Sequence, residues 1–556
     1  MNSLVVAAFS FFAFILAYRL YGTFISQRLF GIDPGRKTPA HTFEDGVDFV
    51  PTRKSILFGH HYTSIAGAGP IVGPAIAVIW GWVPALLWVV FGSIFMGGVH
   101  DLGALMVSAR HEGRSIGDVS RDIIGPTART LFLLVILFML LIVLAVFALI
   151  IGLLLTMYPA SVLPIWFEVP LAIWLGNRIK KQNANIKLWS VVALVLMYVT
   201  IYTGVHLPLR IPPVLGTELT TWVVVLMIYS YIASTLPVQT LLQPRDYINS
   251  HELFFGLGVM CLGLIIAHPT IVAPAINLHP EGAPQMLPFL FVIVACGAIS
   301  GFHSLVSSGT TVKQMDRESD AKLIGYGSMI AEGTLAVVVI LACTAGFASL
   351  DKWNAHYINW TAAQGLGAKI GAFIEGGATF LSALGIGPSL GAALIAVVVI
   401  SFAATTLDTA TRIQRYVISE LARASGIAWL QKRHPATLVA VGSALLLALV
   451  KGGGKGGMIL WPLFGTTNQL LSGLSLLVIT LYLVKKGKPG IYTFLPMVFV
   501  LAMTSWALAL NFQDLFSKGN WPLAGIGGIV MALNIWIIVE GIRAFAGYRK
   551  AAGSAS

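Results

Sequence analysis

The chain has 556 residues, of which 57% are hydrophobic and only 10% are charged, and its formal net charge is +12. Soluble globular domains carry about 25% charged residues, so this composition excludes an ordinary soluble protein and predicts one integral membrane domain over residues 1–556. The positive charge lies in loops between apolar stretches, so it does not indicate nucleic-acid binding, which would need a basic domain outside the membrane.

Apolar stretches long enough to cross a bilayer recur along the whole chain. With roughly 20 residues per crossing, the sequence predicts an all-α polytopic membrane protein with about 15 transmembrane helices. In chain order the predicted helices are 3–26, 58–79, 82–109, 130–156, 160–178, 187–206, 219–242, 250–268, 286–309, 322–348, 389–411, 435–450, 461–484, 490–510 and 522–546.

Basic residues collect in every second loop between these helices, for example at Arg36, Arg114, Arg245 and Arg433. Because cytoplasmic loops are enriched in Lys and Arg, we expect the N-terminus outside the cell and the C-terminus in the cytoplasm. Such loops attract the anionic lipids of the cytoplasmic leaflet, which are expected partners. The longest loop on the other side, residues 349–388, is expected to form a surface helix or a re-entrant cap.

The helices group into two successive sets of five, residues 58–206 and 219–411, followed by C-terminal helices over 435–546. An odd number of crossings gives the second set the opposite orientation to the first. The pattern therefore predicts an inverted repeat, as many secondary transporters have.

Each set opens with a helix that the sequence predicts to be interrupted. In the first, the paired histidines His60 and His61 precede a run of Gly and Pro; in the second, Pro237 stands among polar residues. Irregular backbone at membrane depth persists only where protein or a water-filled cavity surrounds it, and half-helix ends attract ions and charged groups. The alternative is a kink that only serves helix packing. The predicted substrate-binding residues here are His60, His61, Gly67, Ala68, Gly69, Pro70, Ser234, Thr235 and Gln239.

The histidines are candidates for binding a carboxylate or carrying a proton, since histidine titrates near neutral pH. Consecutive helical residues point about 100° apart, so one of His60 and His61 is expected to face the site while the backbone stays helical. His303 in the ninth predicted helix is a further substrate-binding candidate. Alternatively, the histidine pair only helps to close the inner mouth of its helix.

Four acidic residues inside predicted helices are candidates for proton coupling: Asp101, Glu168, Glu332 and Asp408. A charged side chain near the centre of a membrane helix costs about 2.5 to 3.5 kcal/mol, so each needs a partner or a function. Asp408 has Arg412 four residues on, which favours an ion pair within one helix. Glu168 and Glu332 have no basic neighbour within one turn, so each is expected to be protonated or paired across helices.

No metal or cofactor is expected. Adjacent histidines without a third ligand in reach are not a zinc pattern, and no phosphate-binding loop has the required spacing. Sodium remains an alternative coupling ion, held by unwound carbonyls and hydroxyl groups. The hydroxyl candidates are Ser64, Ser304, Ser307, Ser308, Thr310 and Thr311.

Five long sequence blocks resemble the carbon starvation protein A (CstA) family of bacterial inner-membrane transporters. The blocks are FGHHYTSIAGAGPIVGP (58–74), HDLGALMVSARHEGRSIGD (100–118), LLQPRDYINS (241–250), SGFHSLVSSGTTVKQ (300–314) and WPLFGTTNQLLSGL (461–474). The resemblance implies a LeuT-like core of five plus five inverted-repeat helices, with extra helices at both ends of the chain, in a bacterial inner membrane.

The resemblance also implies a function, which is import of a small carboxylate nutrient, pyruvate or short peptides, by proton symport during carbon starvation. The small-molecule substrate and the proton are then the expected partners. An enzyme is not expected, because no nucleophile, base and metal group converge in the sequence. A sodium-coupled transporter of the same fold and a membrane nutrient sensor without transport are the alternatives.

Overall fold

The computed structural model describes residues 1–179, 185–450, 456 and 461–554. Within these residues the only extended pairings are two isolated bridges, Asn2 with Thr270 and Thr52 with Met315, and the rest of the regular structure is helical. The all-α prediction is therefore confirmed for the described part of the chain.

The first half of the chain contains helices α1 (Ser3–Arg19), α2 (Tyr21–Phe24), α3 (Pro39–Thr42), α4 (Lys54–Ile65), α5 (Gly69–Ala77), α6 (Trp82–Gly92), α7 (Gly98–Ala109), α8 (Ile116–Ile123), α9 (Pro126–Met157), α10 (Val162–Ile179), α11 (Ile186–His206), α12 (Glu218–Thr235) and α13 (Leu242–Ala267). The second half contains α14 (Met286–Ile293), α15 (Gly301–Val306), α16 (Ser328–Ala345), α17 (Leu350–Tyr357), α18 (Trp360–Ala363), α19 (Leu366–Ser382), α20 (Pro388–Ala424), α21 (Arg433–Leu449), α22 (Trp461–Lys485), α23 (Ile491–Ser517) and α24 (Trp521–Ser554). Short π-helical turns extend several of them, at Ile25–Leu29, Ser93–Gly97, Ser307–Thr311 and Lys322–Gly327.

Twelve helical stretches of the described residues are long and apolar enough to cross a membrane, and the bent pair α4 and α5 makes a thirteenth. The prediction of a multi-pass membrane protein is confirmed. The two remaining predicted crossings correspond to the interrupted pair α14 and α15 and to α21, which is apolar but shorter. The exact count of 15 stays a prediction.

Successive crossings bring the basic loops to one end of the molecule. Val50 N donates to the Lys313 carbonyl at 3.0 Å, and Ser115 Oγ donates to Glu420 Oε2 at 2.9 Å. We call the end that carries loops 30–53, 110–125, 312–321 and 425–432 the basic side. At the other end, the N-terminal residues lie beside the segment after α13, where Ser3 N donates to the Pro269 carbonyl at 3.1 Å.

The predicted interruption in the first set is confirmed. Helix α4 ends at Ile65, α5 begins at Gly69, and the two are bent by 45°. Pro70 stands in the first turn of α5, where its missing N–H costs no hydrogen bond. A Cβ on Gly67 would lie 2.4 Å from Thr406 Oγ1, so only glycine fits there.

The predicted interruption in the second set is wrong. Helix α12 is continuous to Thr235, and residues 236–241 form a turn into α13. Pro237 ends a crossing instead of interrupting one, because a residue before proline is disfavoured in the helical region. The second interruption lies between α14 and α15, at residues 294–300.

The two interruptions meet in the interior. A Cβ on Gly69 would lie 2.4 Å from Cys296 Sγ, and a Cβ on Gly73 would lie 2.6 Å from the Ile293 carbonyl oxygen. Glycine therefore allows the backbone of α5 to approach the end of α14 closely.

The segment 349–388 forms a cap over the side opposite the basic side. It consists of the short helices α17 and α18 and the longer α19. Tyr357 donates its hydroxyl to the Ala75 carbonyl at 2.7 Å, and the Trp80 and Trp360 rings lie 5.5 Å apart. The cap is thus fixed to the end of α5.

Candidate functional site

A chain of three buried titratable side chains lies beside the second interruption. His303 Nδ1 on α15 is 3.0 Å from Asp101 Oδ2 on α7, and His303 Nε2 is 3.2 Å from Glu332 Oε2 on α16. Glu332 Oε1 also accepts a hydrogen bond of 3.0 Å from Gly297 N, in the interruption itself. None of these three side chains is exposed. The imidazole lies between the two carboxyl groups: it is hydrogen-bonded to Asp101, whereas its contact with Glu332 is at ion-pair distance without hydrogen-bond geometry.

Two more histidines extend this group. His100 Nδ1 is 2.7 Å from Asp101 Oδ1, and His61 Nδ1 is 2.7 Å from Thr311 Oγ1. The Nε2 atoms of His61 and His100 are buried without a hydrogen-bond partner among the described residues. We call His61, His100, Asp101, His303 and Glu332 the histidine cluster. Its unpartnered ring nitrogens can bind a polar group that enters the interior.

Asn468 of α22 holds the start of α15 in place. Its Oδ1 accepts from Phe302 N at 2.9 Å, and its Nδ2 donates to Ser300 Oγ at 3.0 Å. The first backbone N–H groups of a helix have no partner within the helix, and an amide side chain that accepts a hydrogen bond from one of them caps the helix. Asn468 is not among the predicted site residues, although it stands in the distinctive block 461–474.

A second buried cluster contains the two other predicted acids. Arg245 Nε donates to Glu168 Oε1 at 3.1 Å, and Arg245 Nη1 donates to Asp408 Oδ2 at 2.6 Å and to the Tyr229 hydroxyl at 2.7 Å. Arg245 was expected in a cytoplasmic loop, but the turn before α13 is short and places it in the first turn of that helix. Of the two states expected for Glu168, pairing across helices is the one found.

The expected ion pair between Asp408 and Arg412 is wrong. Asp408 bonds to Arg245, while Arg412 Nη1 donates to Asp48 Oδ1 at 2.5 Å and its Nη2 donates to the carbonyls of Ala233 and Leu236. A pair one turn apart on a helix contributes only about 0.2–0.5 kcal/mol, so partners on other segments can replace it. Here a partner on another segment faces each of the two.

His60 and His61 belong to different clusters. His60 Nδ1 is hydrogen-bonded to Asp246 Oδ2, beside Arg245, whereas His61 belongs to the histidine cluster. Because α4 is continuous here, the two rings point about 100° apart. We call His60, Glu168, Tyr229, Arg245, Asp246 and Asp408 the arginine cluster. Helix α4 therefore separates two sets of buried ionisable groups.

The predicted residues Gly67, Ala68, Gly69 and Pro70 form the first interruption, next to hydroxyl groups of α20. Thr406 Oγ1 donates to the Ser64 carbonyl at 3.0 Å, which satisfies one acceptor that the end of α4 leaves open. These residues line the same junction as Cys296 and Gly297.

The predicted residues Ser234, Thr235 and Gln239 lie elsewhere. Ser234 and Thr235 are the last residues of α12, and Gln239 stands in the turn that follows. The neighbouring carbonyls of Ala233 and Leu236 contact Arg412, which is about 9 Å further along α20 than Thr406 at 1.5 Å per residue. The structure does not bring this group together with the first interruption.

The hydroxyl groups proposed for sodium mostly bond within the protein. Ser304 Oγ pairs with Ser475 Oγ at 2.8 Å, and Ser308 Oγ donates to the Ser304 carbonyl at 2.6 Å. Ser307 Oγ has no partner among the described residues. A group of three or more His, Cys, Asp or Glu side chains arranged for a metal ion is not found in that part of the chain.

Comparison with known proteins places the chain among transporters. It is 33% identical to the peptide transporter CstA of Campylobacter jejuni, over 90% of this chain and 79% of that protein. It is 32% identical to the pyruvate/proton symporter BtsT of Escherichia coli, over 91% of this chain and 81% of that protein. These relatives are transporters and not enzymes.

The fold is similar to that of a solved metal-ion transporter. A crystal structure of an Eremococcus coleocola manganese transporter mutant matches 90% of this chain and 99% of its own with a TM-score of 0.50 and 13% sequence identity. At this identity the likeness concerns the fold alone.

The model of the family described as carbon starvation protein CstA matches residues 2–507. The chain therefore belongs to the carbon starvation protein CstA family.

Proposed function

We propose that the chain imports a small carboxylate-bearing nutrient, pyruvate or a short peptide, together with a proton. The observation that carries the proposal is the histidine cluster at the junction of two interrupted helices. Buried carboxyl groups linked by an imidazole can gain and lose a proton as the site alternates between sides. The names of the relatives supply the two candidate cargoes.

Four helix ends converge on this junction and suit a carboxylate. Helices α5 and α15 begin there, at Gly69 and Gly301, and α4 and α14 end there, at Ile65 and Ile293. The start of a helix carries partial positive charge and favours an anion. In this proposal the backbone of residues 67–70 and the ring of His61 bind the carboxylate, and Asp101, His303 and Glu332 carry the proton.

We assign the arginine cluster to a structural role in transport. A buried ion pair that loses one partner leaves an uncompensated charge, and Arg245 is bonded to both Glu168 and Asp408. These bonds connect α13 with α10 and α20, and His60 connects α4 to the same cluster. The cluster would keep these helices together as one body while the site opens. Ser234, Thr235 and Gln239 have no part in this proposal.

The packing supports an inverted repeat with different boundaries from those predicted at 58–206 and 219–411. We propose that α4–α5, α6–α7, α9, α12 and α13 correspond to α14–α15, α16, α20, α21 and α22. In support, α13 packs on α4 as α22 packs on α15, α9 packs on α20, and α12 packs on α21. The two interrupted helices start an odd number of crossings apart, so the two halves would be inverted. Helices α10 and α11 would then be an insertion in the first half.

The proposed setting is a bacterial inner membrane, with the basic side in the cytoplasm. The Lys and Arg residues of the loops support this orientation. It places the N-terminus outside and the C-terminus inside.

Uptake into proteoliposomes tests the proposal. We expect labelled pyruvate or a labelled dipeptide to accumulate when an inward proton gradient is imposed without sodium. Glu332→Gln should abolish accumulation against a gradient while exchange of labelled for unlabelled substrate continues, because exchange needs no net proton movement. His251→Gln is the matched control, since among the described residues His251 bonds only to its own helix and to Ser250 next to it. Accumulation that requires sodium, or no uptake of either cargo, would contradict the proposal.

A further inference from the structure

A pocket of about 290 Å³ opens on the basic side, apart from both buried clusters. It lies where three crossings end: Leu29 and Phe30 after the first crossing, Arg110 and His111 after α7, and residues 482–488 at the end of α22. No residue that lines it belongs to the histidine cluster or to the arginine cluster. The pocket is therefore independent of the proposed transport site.

The charge of the pocket is strongly positive. Its lining includes Arg36, Arg110, Lys486 and Lys488 and contains no acidic side chain. Only Arg110 has an ion pair, of 2.6 Å from Nε to Glu318 Oε1. Within the described part of the chain the other three cations form no ion pair. The pocket thus holds more positive charge than its protein surroundings neutralise.

The floor of the pocket is formed by buried, largely apolar side chains. Leu483 and Tyr482 are 1% and 8% exposed, so only their edges reach the opening. The rings of His111 and Tyr482 meet edge to face, with their centroids 5.7 Å apart. Burial is the main cause that lowers the pKa of His111, so this ring adds no positive charge at neutral pH. A concave apolar floor with a cationic rim differs from a solvated surface patch.

We propose that this pocket binds a phosphate-bearing anion. Arg and Lys are the side chains that bind phosphate oxygens most strongly, Arg through paired N–H groups and Lys as a point charge. The ends of α7 and α22 contribute partial negative charge, and four cations outweigh it. The phosphate belongs either to the headgroup of an anionic phospholipid, which the cytoplasmic leaflet would supply in the proposed orientation of the basic side, or to a soluble phosphate compound.

Binding to the purified full-length protein tests the proposal and separates the two sources. The probes are short-chain phosphatidylglycerol, short-chain phosphatidylcholine, glycerol phosphate and inorganic phosphate, with thermal unfolding and native mass spectrometry as readouts. Phosphatidylglycerol binding without competition by glycerol phosphate identifies a lipid headgroup. Competition by glycerol phosphate or inorganic phosphate identifies a soluble ligand. The failure of all anionic probes to bind would overturn the proposal.

The double substitution Lys486→Ala with Lys488→Ala should weaken binding roughly tenfold or more, since each basic residue near a charged surface contributes substantially to attraction. The matched control is Lys432→Ala with Arg433→Ala, which removes equal charge from exposed positions on the same side. Equal loss in both double variants would overturn the proposal, because the attraction would then come from net charge. Transport is not needed for this readout, so failure here and failure of the proposed function are distinguishable.

Discussion

The smallest unit on which the proposed coupling depends is the imidazole of His303 between two carboxyl groups. Removing the ring by His303→Ala leaves Asp101 and Glu332 buried without it, and we expect a loss of about 3–5 kcal/mol in stability, as for other broken buried pairs. Adding Glu332→Gln should recover part of the lost stability, because one of the two acids no longer needs a counter-charge. Thermal unfolding of the two single variants and the double variant measures the coupling.

Additive losses in that cycle would contradict a shared network. His206→Ala is the control for removing an imidazole, since His206 is exposed and, in the part of the chain that the structure describes, bonds only to the carbonyl of Tyr202. It should leave the unfolding temperature nearly unchanged.

Glu252 has a different position from the four predicted acids. Both of its carboxyl oxygens are buried without a hydrogen-bond partner among the described residues, and it lines an apolar cavity of about 300 Å³ with Tyr198 and Leu253. A buried polar group without a partner is costly. We therefore expect Glu252→Leu to raise the unfolding temperature without loss of uptake. Loss of proton-driven uptake with exchange intact would instead make Glu252 part of the proton path.

At this scale the sequence located ionisable residues but not their partners. Asp101, Glu168, Glu332 and Asp408 stand out because acids are rare inside apolar helices. Their partners are distant in the chain: His303 is 202 residues from Asp101, and Arg245 is 163 residues from Asp408. The spacing along one helix predicted Arg412 as the ion-pair partner of Asp408. In the fold, Asp408 instead pairs with Arg245, and Arg412 pairs with Asp48.

At the scale of helices, the close approach of α5 to the second interruption depends on glycine. Gly69→Ala would place a Cβ 2.4 Å from both Cβ and Sγ of Cys296, so we expect about 1–3 kcal/mol of destabilisation from overpacking. Cys296→Gly removes the atoms that collide and should restore part of the stability. Gly258→Ala is the control, because nothing lies within 4 Å of its added Cβ. Equal effects of the two alanine substitutions on thermal unfolding would contradict this packing.

Asp48 connects loop 30–53 to α20 on the basic side. It bonds to Arg412 and, at 3.0 Å, to Arg415 Nη2. Burial by itself would raise the pKa of Asp48, but Arg412, Arg415 and Lys313 outweigh it and lower the pKa below its ordinary value. A lowered folded-state pKa means that the stabilisation is complete above the ordinary aspartate value of about 4 and is lost as the pH falls below it.

Asp48→Asn should therefore cost about 3 kcal/mol at neutral pH, because Arg412 is then buried without its counter-charge. The difference in unfolding free energy between the two proteins should shrink as the pH falls below about 4. Asp45→Asn is the control, since the Asp45 carboxylate accepts, from the described residues, only backbone N–H groups of its own loop. A difference that does not change with pH would show that the charge of Asp48 is not what stabilises this connection.

One interruption could be predicted from sequence and the other could not. Residues 58–74 contain so many Gly and Pro residues that a continuous helix is disfavoured. Residues 294–300 contain only Gly297 as a helix breaker, with φ +92°, and their unwinding depends on contacts with Asn468, Glu332 and Pro70 from other parts of the chain. Pro237 indicates an interruption more strongly than Gly297 does, but it lies just after the end of a crossing.

For the whole molecule, composition was sufficient to predict a multi-pass helical protein, and loop charges grouped the loops of the basic side. The order in which helices pack could not be predicted in the same way, because in the proposed repeat α10 and α11 shift the correspondence between the halves. The histidine cluster is fully buried, with the Asp48 contacts on the basic side of the molecule and the cap 349–388 on the other. For the proposed transport site, we interpret this arrangement as a state closed to both sides.

Opening to one side at a time is the property that separates a transporter from a channel, and Ser307 can report it. Its hydroxyl is buried and has no partner among the described residues. Ser307→Cys, made in a variant without the three native cysteines, therefore breaks no hydrogen bond there, and the two side chains are similar in size. We expect a membrane-impermeant thiol reagent to label this cysteine slowly from the basic side, and faster when Asp48→Asn loosens the closure. Adding substrate and a proton gradient should change the labelling rate. Simultaneous labelling from both sides would indicate a continuous pore, and labelling unaffected by Asp48→Asn would show that access follows another route.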